Sequence, residues 1–228
     1  MLPIATKEFW QLTKNIKSIV MVLILLASSY YFSKNGRVFA AFLGYDSDND
    51  AGIYATGLLI IIVFFGSLFT MALSHDVINR EVSNRTIRFL LTRTSSEQII
   101  WGKFLGTVAF WFACILLAVV IIAMTSQTFS GIILASVLCL ITIEIAFAFV
   151  LSILISKPRM TMFLGIVFGT ALPIMSQVVE YSDKWWGKLR YISPIHYIEQ
   201  EDWQMILLPI AALLLIFSCI QVFKRGEY

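Results

Sequence analysis

The sequence predicts an all-α polytopic membrane protein with six transmembrane helices and an amphipathic helix ahead of the first. Three observations carry that expectation. Of 228 residues, 59% are hydrophobic and only 14% are charged, where an ordinary soluble domain is about 25% charged. A soluble fold of this size could not hide so many apolar side chains behind so few charges. Six apolar segments each approach the roughly 20 helical residues that cross a hydrocarbon core of about 30 Å. The basic residues, finally, fall unevenly on alternate sides of those segments. Soluble enzymes and disordered scaffolds are excluded by composition, and a net charge of +3 is too small to suggest nucleic acid.

The N-terminal stretch, residues 1–15, places Ala5, Phe9 and Leu12, with Ile16 next, at spacings of four, three and four. Lys7, Gln11 and Lys14 face the other way and Trp10 suits an interface, so the stretch reads as a helix lying on the inner leaflet. The six spans are then expected at about 16–32, 51–74, 104–124, 131–155, 160–179 and 205–223, all within one membrane domain covering residues 1–228. The first is the weakest, because Lys17 lies inside it and only Ile19–Ala27 is continuously apolar. Its Lys7, Lys14 and Lys17 precede a short apolar run, the order found in a signal peptide. The run continues through Tyr30, Tyr31 and Phe32 without an A-x-A site, which favours an uncleaved span.

Orientation follows from Lys and Arg. With the N-terminus inside, twelve basic residues fall on inner segments, including Arg80, Arg85, Arg88, Arg93 and Lys103 between spans two and three. Five fall outside: Lys34, Arg37, Lys184, Lys188 and Arg190. Asp46, Asp48 and Asp50 share one outer loop. Both termini are therefore expected in the cytoplasm, and the cell membrane is the expected location. Cys114, Cys139 and Cys219 all sit in apolar runs and read as packing residues, not as a disulfide framework.

The inner loop from His75 to Leu91 contains no Gly or Pro and can be helical. Ile78, Val82 and Phe89 share one face; Arg80, Glu81, Asn84 and Arg88 lie opposite, and Glu81 with Arg85 forms an i,i+4 pair of favourable order. Thr94-Ser95-Ser96-Glu97 then has the form of a capping box opening a helix that runs into span three. Helix, turn and helix would project from the membrane as a polar knob for a soluble partner. A contact with anionic lipid, or a plain topology signal, is the simpler alternative.

These residues resemble the first cytoplasmic loop of ABC-2-type transporter permeases. The resemblance rests on Asp76-x4-Glu81-x4-Thr86-x3-Leu90-Leu91-x-Arg93-Thr94 followed by Ile99-Ile100-x-Gly102-Lys103. Six spans, an amphipathic start and the segment Tyr191-Ile192-Ser193-Pro194-Ile195-His196-Tyr197 before span six extend it over the whole chain. At Thr94–Glu97 the sequence departs from the family, which often has a Pro and a basic residue there. The resemblance implies a transmembrane subunit of an ATP-driven exporter, forming half of a translocation path with a second permease copy, identical or different. Two copies of a cytoplasmic ABC ATPase would supply the energy. It also implies a cytoplasmic coupling helix at Val82–Thr94 seated in a groove on the ATPase, with Glu81, Val82, Asn84, Arg85, Thr86, Arg88, Phe89, Leu90 and Arg93 as the coupling residues. In the family the N-terminal helix can touch the ATPase as well.

No phosphate-binding loop is present, since Gly102-Lys103 is followed by Phe104 and lacks the upstream Gly. His75 and His196 are too few and too far apart to suggest a zinc site, and His196-x-x-Glu199 is a two-residue coincidence. No catalytic residue, cofactor or metal is therefore expected in this chain; ATP and magnesium belong to the partner. The cargo is expected to be hydrophobic or amphipathic, peptides among the possibilities.

Glu144 is the one carboxylate inside a span. A charge there costs about 3 kcal/mol on insertion scales, so it should face the bundle or a wet cavity. It is a candidate for the translocation path; otherwise it is a packing residue satisfied by Thr142 or by a neighbouring helix. Gly165-x-x-x-Gly169 permits close helix approach, within the chain or at a dimer seam, and Pro173 should kink or break the same span. Tyr181, Trp185, Trp186, Tyr191, Tyr197 and Trp203, near the acidic Glu199, Glu201 and Asp202, mark an outer interfacial segment. In the family this region closes the exit. Two other functions fit the residues. One is a stand-alone secondary transporter or channel using Glu144 for a proton or cation, although the paired broken helices usual there are not evident. The other is a membrane scaffold whose inner loop recruits a cytoplasmic protein.

Overall fold

The computed structural model describes residues 1–36, 38, 57–75, 77–83, 86, 92, 94–155, 157–180, 187–188, 191, 193–194, 196–199 and 203–225. Among the described residues there is no β-strand, and six helices are long and apolar enough to cross a membrane. They are Ile16–Lys34, Gly57–Ser83, Ser96–Ser126, Gly131–Leu154, Pro158–Val179 and Gln204–Lys224. Only helices can do this here, because hydrocarbon offers no water to satisfy open backbone groups.

Helix α1 (Leu2–Lys14) and α2 (Ile16–Lys34, span one) are separated by Asn15, whose extended backbone ends one helix while its side chain accepts from the Lys17 amide of the next. That break explains one departure from the expected apolar stripe. Phe9 and Leu12 pack inward, but Ile16 lies beyond the corner and is exposed, while Glu8 takes a buried place on the inner face.

Span two contains a π-helical turn, Ile62–Gly66, ahead of α3 (Ser67–Ser74); α4 (Asn79–Ser83) follows at the inner end. Span three is α5, Ser96–Ser126. The capping helix and the span expected at 104–124 are one continuous helix. Its cap is one residue later than the motif suggests: the Ser95 hydroxyl accepts from the Gln98 amide at 3.4 Å. Span four is α6 (Gly131–Leu154), capped by Ser130, and span five is α7 (Pro158–Glu180), which begins on a proline. A four-residue helix α8 (His196–Glu199) and a 3-10 turn (Trp203–Ile206) lead into α9 (Leu207–Arg225), span six.

Span four is central, packing against spans two, three and six; span five lies on span two, and span one on span three. Phe149 of α6 is fully buried and meets Phe104 of α5 edge to face at 5.8 Å. The end of α9 lies at the same face of the bundle as the start of α5, since Lys224 forms an ion pair with Glu97. Helix α1 packs along the same end of α5.

That last contact depends on two glycines. A Cβ at Gly102 would come within 2.8 Å of the Ile4 Cβ, and one at Gly106 within 2.6 Å of the Ala5 carbonyl oxygen. Residues 102 and 106 are one helical turn apart and form a groove that admits the backbone of α1. Gly106→Leu should therefore displace α1 and destabilise the purified protein by about 1–3 kcal/mol, read as a lower thermal midpoint. Gly131→Ala, where a Cβ meets nothing nearer than 3.7 Å, should change stability by less than about 0.5 kcal/mol.

Candidate functional site

Two polar centres interrupt the apolar bundle. The first lies at its inner end. Lys103, 3% exposed, extends from the third turn of α5 between two carboxylates. Its Nζ is 2.9 Å from Glu8 Oε2 on α1 and 2.9 Å from Glu81 Oε1 on α4. One ammonium thus ties three segments that are far apart in sequence. A small polar cavity of about 60 Å³ adjoins it, lined in part by Glu8, Asn15, Lys17, His75 and Arg80.

Glu81 has a second role through its backbone: its carbonyl accepts from both the amide and the hydroxyl of Thr86, at 3.0 and 3.2 Å. The start of the loop is anchored as well. The amides of Ile78 and Asn79 donate to Ser152 Oγ at 3.1 and 3.2 Å, and the Asn79 side-chain amide donates to the Ile155 carbonyl and to Thr161. Ile78 is buried and Val82 packs against the core. The first turn of the inner loop is therefore seated on spans three, four and five instead of projecting freely.

Of the coupling residues read from sequence, the structure describes Glu81, Val82 and Thr86. Asn84, Arg85, Arg88, Phe89, Leu90 and Arg93 lie outside the described residues. Glu81 does not stand on a solvent-facing polar side as its helical position suggested. It turns inward to Lys103, because a carboxylate near a buried ammonium gains a charge-assisted hydrogen bond there. No local pattern reveals that pairing; the only hint is a lone Lys between Gly102 and Phe104 at the head of an apolar run.

The second centre lies within the spans. Glu144 of α6 is 8% exposed. Ser67 Oγ donates to its Oε1 at 2.6 Å, and Thr70 Oγ1 is 3.5 Å from its Oε2. Both partners come from α3, so the neighbouring helix satisfies the carboxyl; Thr142 donates instead to the Leu138 carbonyl at 2.6 Å. The π turn ends at Gly66, where a Cβ would stand 3.2 Å from Glu144 Oε2, so the glycine leaves room for the carboxyl. Beside this group is a cavity of about 310 Å³ whose walls include Val63, Met71, Phe147, Leu172 and Pro173.

Gly165 and Gly169 of α7 face span two of the same chain: a Cβ would come 3.2 Å from the Met71 Cβ and 3.1 Å from the Leu68 backbone. Among the described residues no group of His, Cys, Asp or Glu is arranged to hold a metal ion. His196 is buried between the rings of Tyr191 and Tyr197, at 5.2 and 5.6 Å.

Compared with known families, residues 2–201 match the ABC-2 family transporter protein. The chain belongs to the ABC-2 transporter family. It is a multi-pass membrane protein of the kind that forms the transmembrane, non-catalytic subunit of an ABC transporter. No match is found among the curated proteins. In this ABC-2 chain the Gly102-Lys103 pair acquires a physical meaning: the glycine admits α1 and the lysine fastens α1 and α4 to span three.

Lys103→Met should leave two carboxylates facing each other without their ammonium, and lower stability by about 3–5 kcal/mol. Replacing all three charges together, Glu8→Gln, Lys103→Met and Glu81→Gln, should restore most of that loss. Thermal unfolding of the parent, the Lys103→Met variant and the triple variant in one detergent checks both outcomes.

Proposed function

We propose that this ABC-2 protein is the permease subunit of an ATP-driven exporter. It forms half of the translocation path with a second permease copy, and two copies of a separate cytoplasmic ABC ATPase drive it. The ATPase docks on the inner loop from Val82 to Thr94, where Arg85, Arg88 and Arg93 orient the contact and Phe89 enters the groove. ATP and magnesium are held by that partner. Both termini are cytoplasmic, in agreement with the excess of Lys and Arg on that side.

The observation that carries the reading is the joint hold of Lys103 on α1 and α4. A force applied to the loop reaches span three through an ion pair, spans four and five through the hydrogen bonds of Asn79, and the N-terminal helix through Glu8. A loop whose first turn is fastened to several spans suits the transmission of motion better than passive anchorage.

The test is purification from the native membrane followed by reconstitution. An ABC ATPase should be recovered in equal amount with the permease, and cargo-dependent ATP hydrolysis should appear in proteoliposomes. Phe89→Ala and Arg88→Ala should reduce transport at least tenfold while the complex still assembles. Transport unaffected by either substitution would displace the docking segment; gradient-driven flux without ATP would replace the exporter reading altogether.

A further inference from the structure

The cavity beside Glu144 is set apart by its lining and not by its size: pockets of about 300 and 310 Å³ elsewhere on the bundle have no carboxylate among their described lining residues. It offers about 310 Å³ of open space against Glu144, a carboxylate near the middle of span four. The carboxyl has one short hydrogen bond, from Ser67, and a long approach from Thr70. Thr70 has a single hydroxyl hydrogen, and that hydroxyl is also 2.9 Å from the Gly66 carbonyl. Among the described residues that line the cavity there is no Lys, Arg or His. Hydroxyl hydrogen bonds hold the carboxyl in place but do not offset a full charge, so an ionised Glu144 would gain from a cation placed in the cavity.

The walls decide its chemical class. A metal cation would require about six oxygen ligands, but beyond Glu144 the polar side chains on the lining are Ser67 and Ser176. The remainder is aliphatic, aromatic or proline. Phe147 adds an aromatic ring to the lining and packs edge to face against Phe168 at 5.8 Å. We propose that the cavity between spans two, four and five binds a monovalent organic cation, an amine or quaternary ammonium with an apolar body, with Glu144 as its counter-ion. The apolar walls take the body, and Ser67 holds the carboxylate in place. This inference extends the exporter reading, on which it rests for its meaning as cargo recognition.

Binding is measured on the full-length chain in lipid nanodiscs without an ATPase, so a failure here leaves the ATPase partnership untouched, and the converse holds. The probe is radiolabelled benzyltrimethylammonium, whose charge does not vary with pH, and its neutral isostere neopentylbenzene serves as competitor. The expected result is saturable binding of one cation per chain, weakened at least about tenfold by Glu144→Gln. Leu172→Trp, which fills the cavity and leaves the carboxyl untouched, should abolish binding and keeps the test decisive if Glu144→Gln fails to fold. The isostere should compete at least about tenfold more weakly than unlabelled cation. Wild-type affinity in either variant, equal competition by the isostere, or no saturable binding in the parent would overturn the proposal.

Discussion

A single buried ammonium organises the inner end of this protein. Lys103 emerges from a helix that is otherwise apolar for most of its length, and it is held by Glu8 from one side and Glu81 from the other. Its desolvation would be costly alone; with two carboxylates at hydrogen-bond distance the cost is offset and the geometry becomes specific. The consequence is topological as much as energetic. The N-terminal helix, the first inner loop and span three are held in one register, which lipid-facing apolar contact alone would not specify, because lipid tails are as apolar as the side chains.

Small residues do the complementary work. Gly102 and Gly106 let α1 approach α5, and Gly165 and Gly169 let span five approach span two. Within a bilayer, such close contact substitutes dispersion and shape for a hydrophobic driving force. Span four gains its central place from contacts with spans two, three and six. Around that core, spans one and five leave broad apolar surfaces outward, including Leu23 and Ile24 on one and Phe163 and Val167 on the other.

Much of this architecture is legible in the residues themselves. Six apolar runs appear as six helices, and the breaks fall at residues whose chemistry marks them: Asn15, Ser95, Ser130 and Pro158. The N-terminal stripe of Phe9 and Leu12 is legible for the same reason, a fixed helical period. The polar centres are not. Glu8 and Lys103 are 95 residues apart, and no local period relates them. Ser67 and Thr70 look like unremarkable small residues in an apolar helix until the bundle turns them toward Glu144. The glycines announce a close approach but not to which helix.

The π turn at Ile62–Gly66 carries a further implication for span two. Such a turn accommodates one surplus residue, which offsets the faces above and below it by about 100°. The outer half of the span and the half bearing Ser67 and Thr70 thus keep separate angular settings around the same axis. Deleting one residue there would straighten the winding, and it would swing either the outer half away from its neighbours or both hydroxyls off the Glu144 carboxyl. Span two behaves as two short cylinders joined by a dislocation, and it is that dislocation which allows one helix to serve the membrane exterior and the buried acid at once.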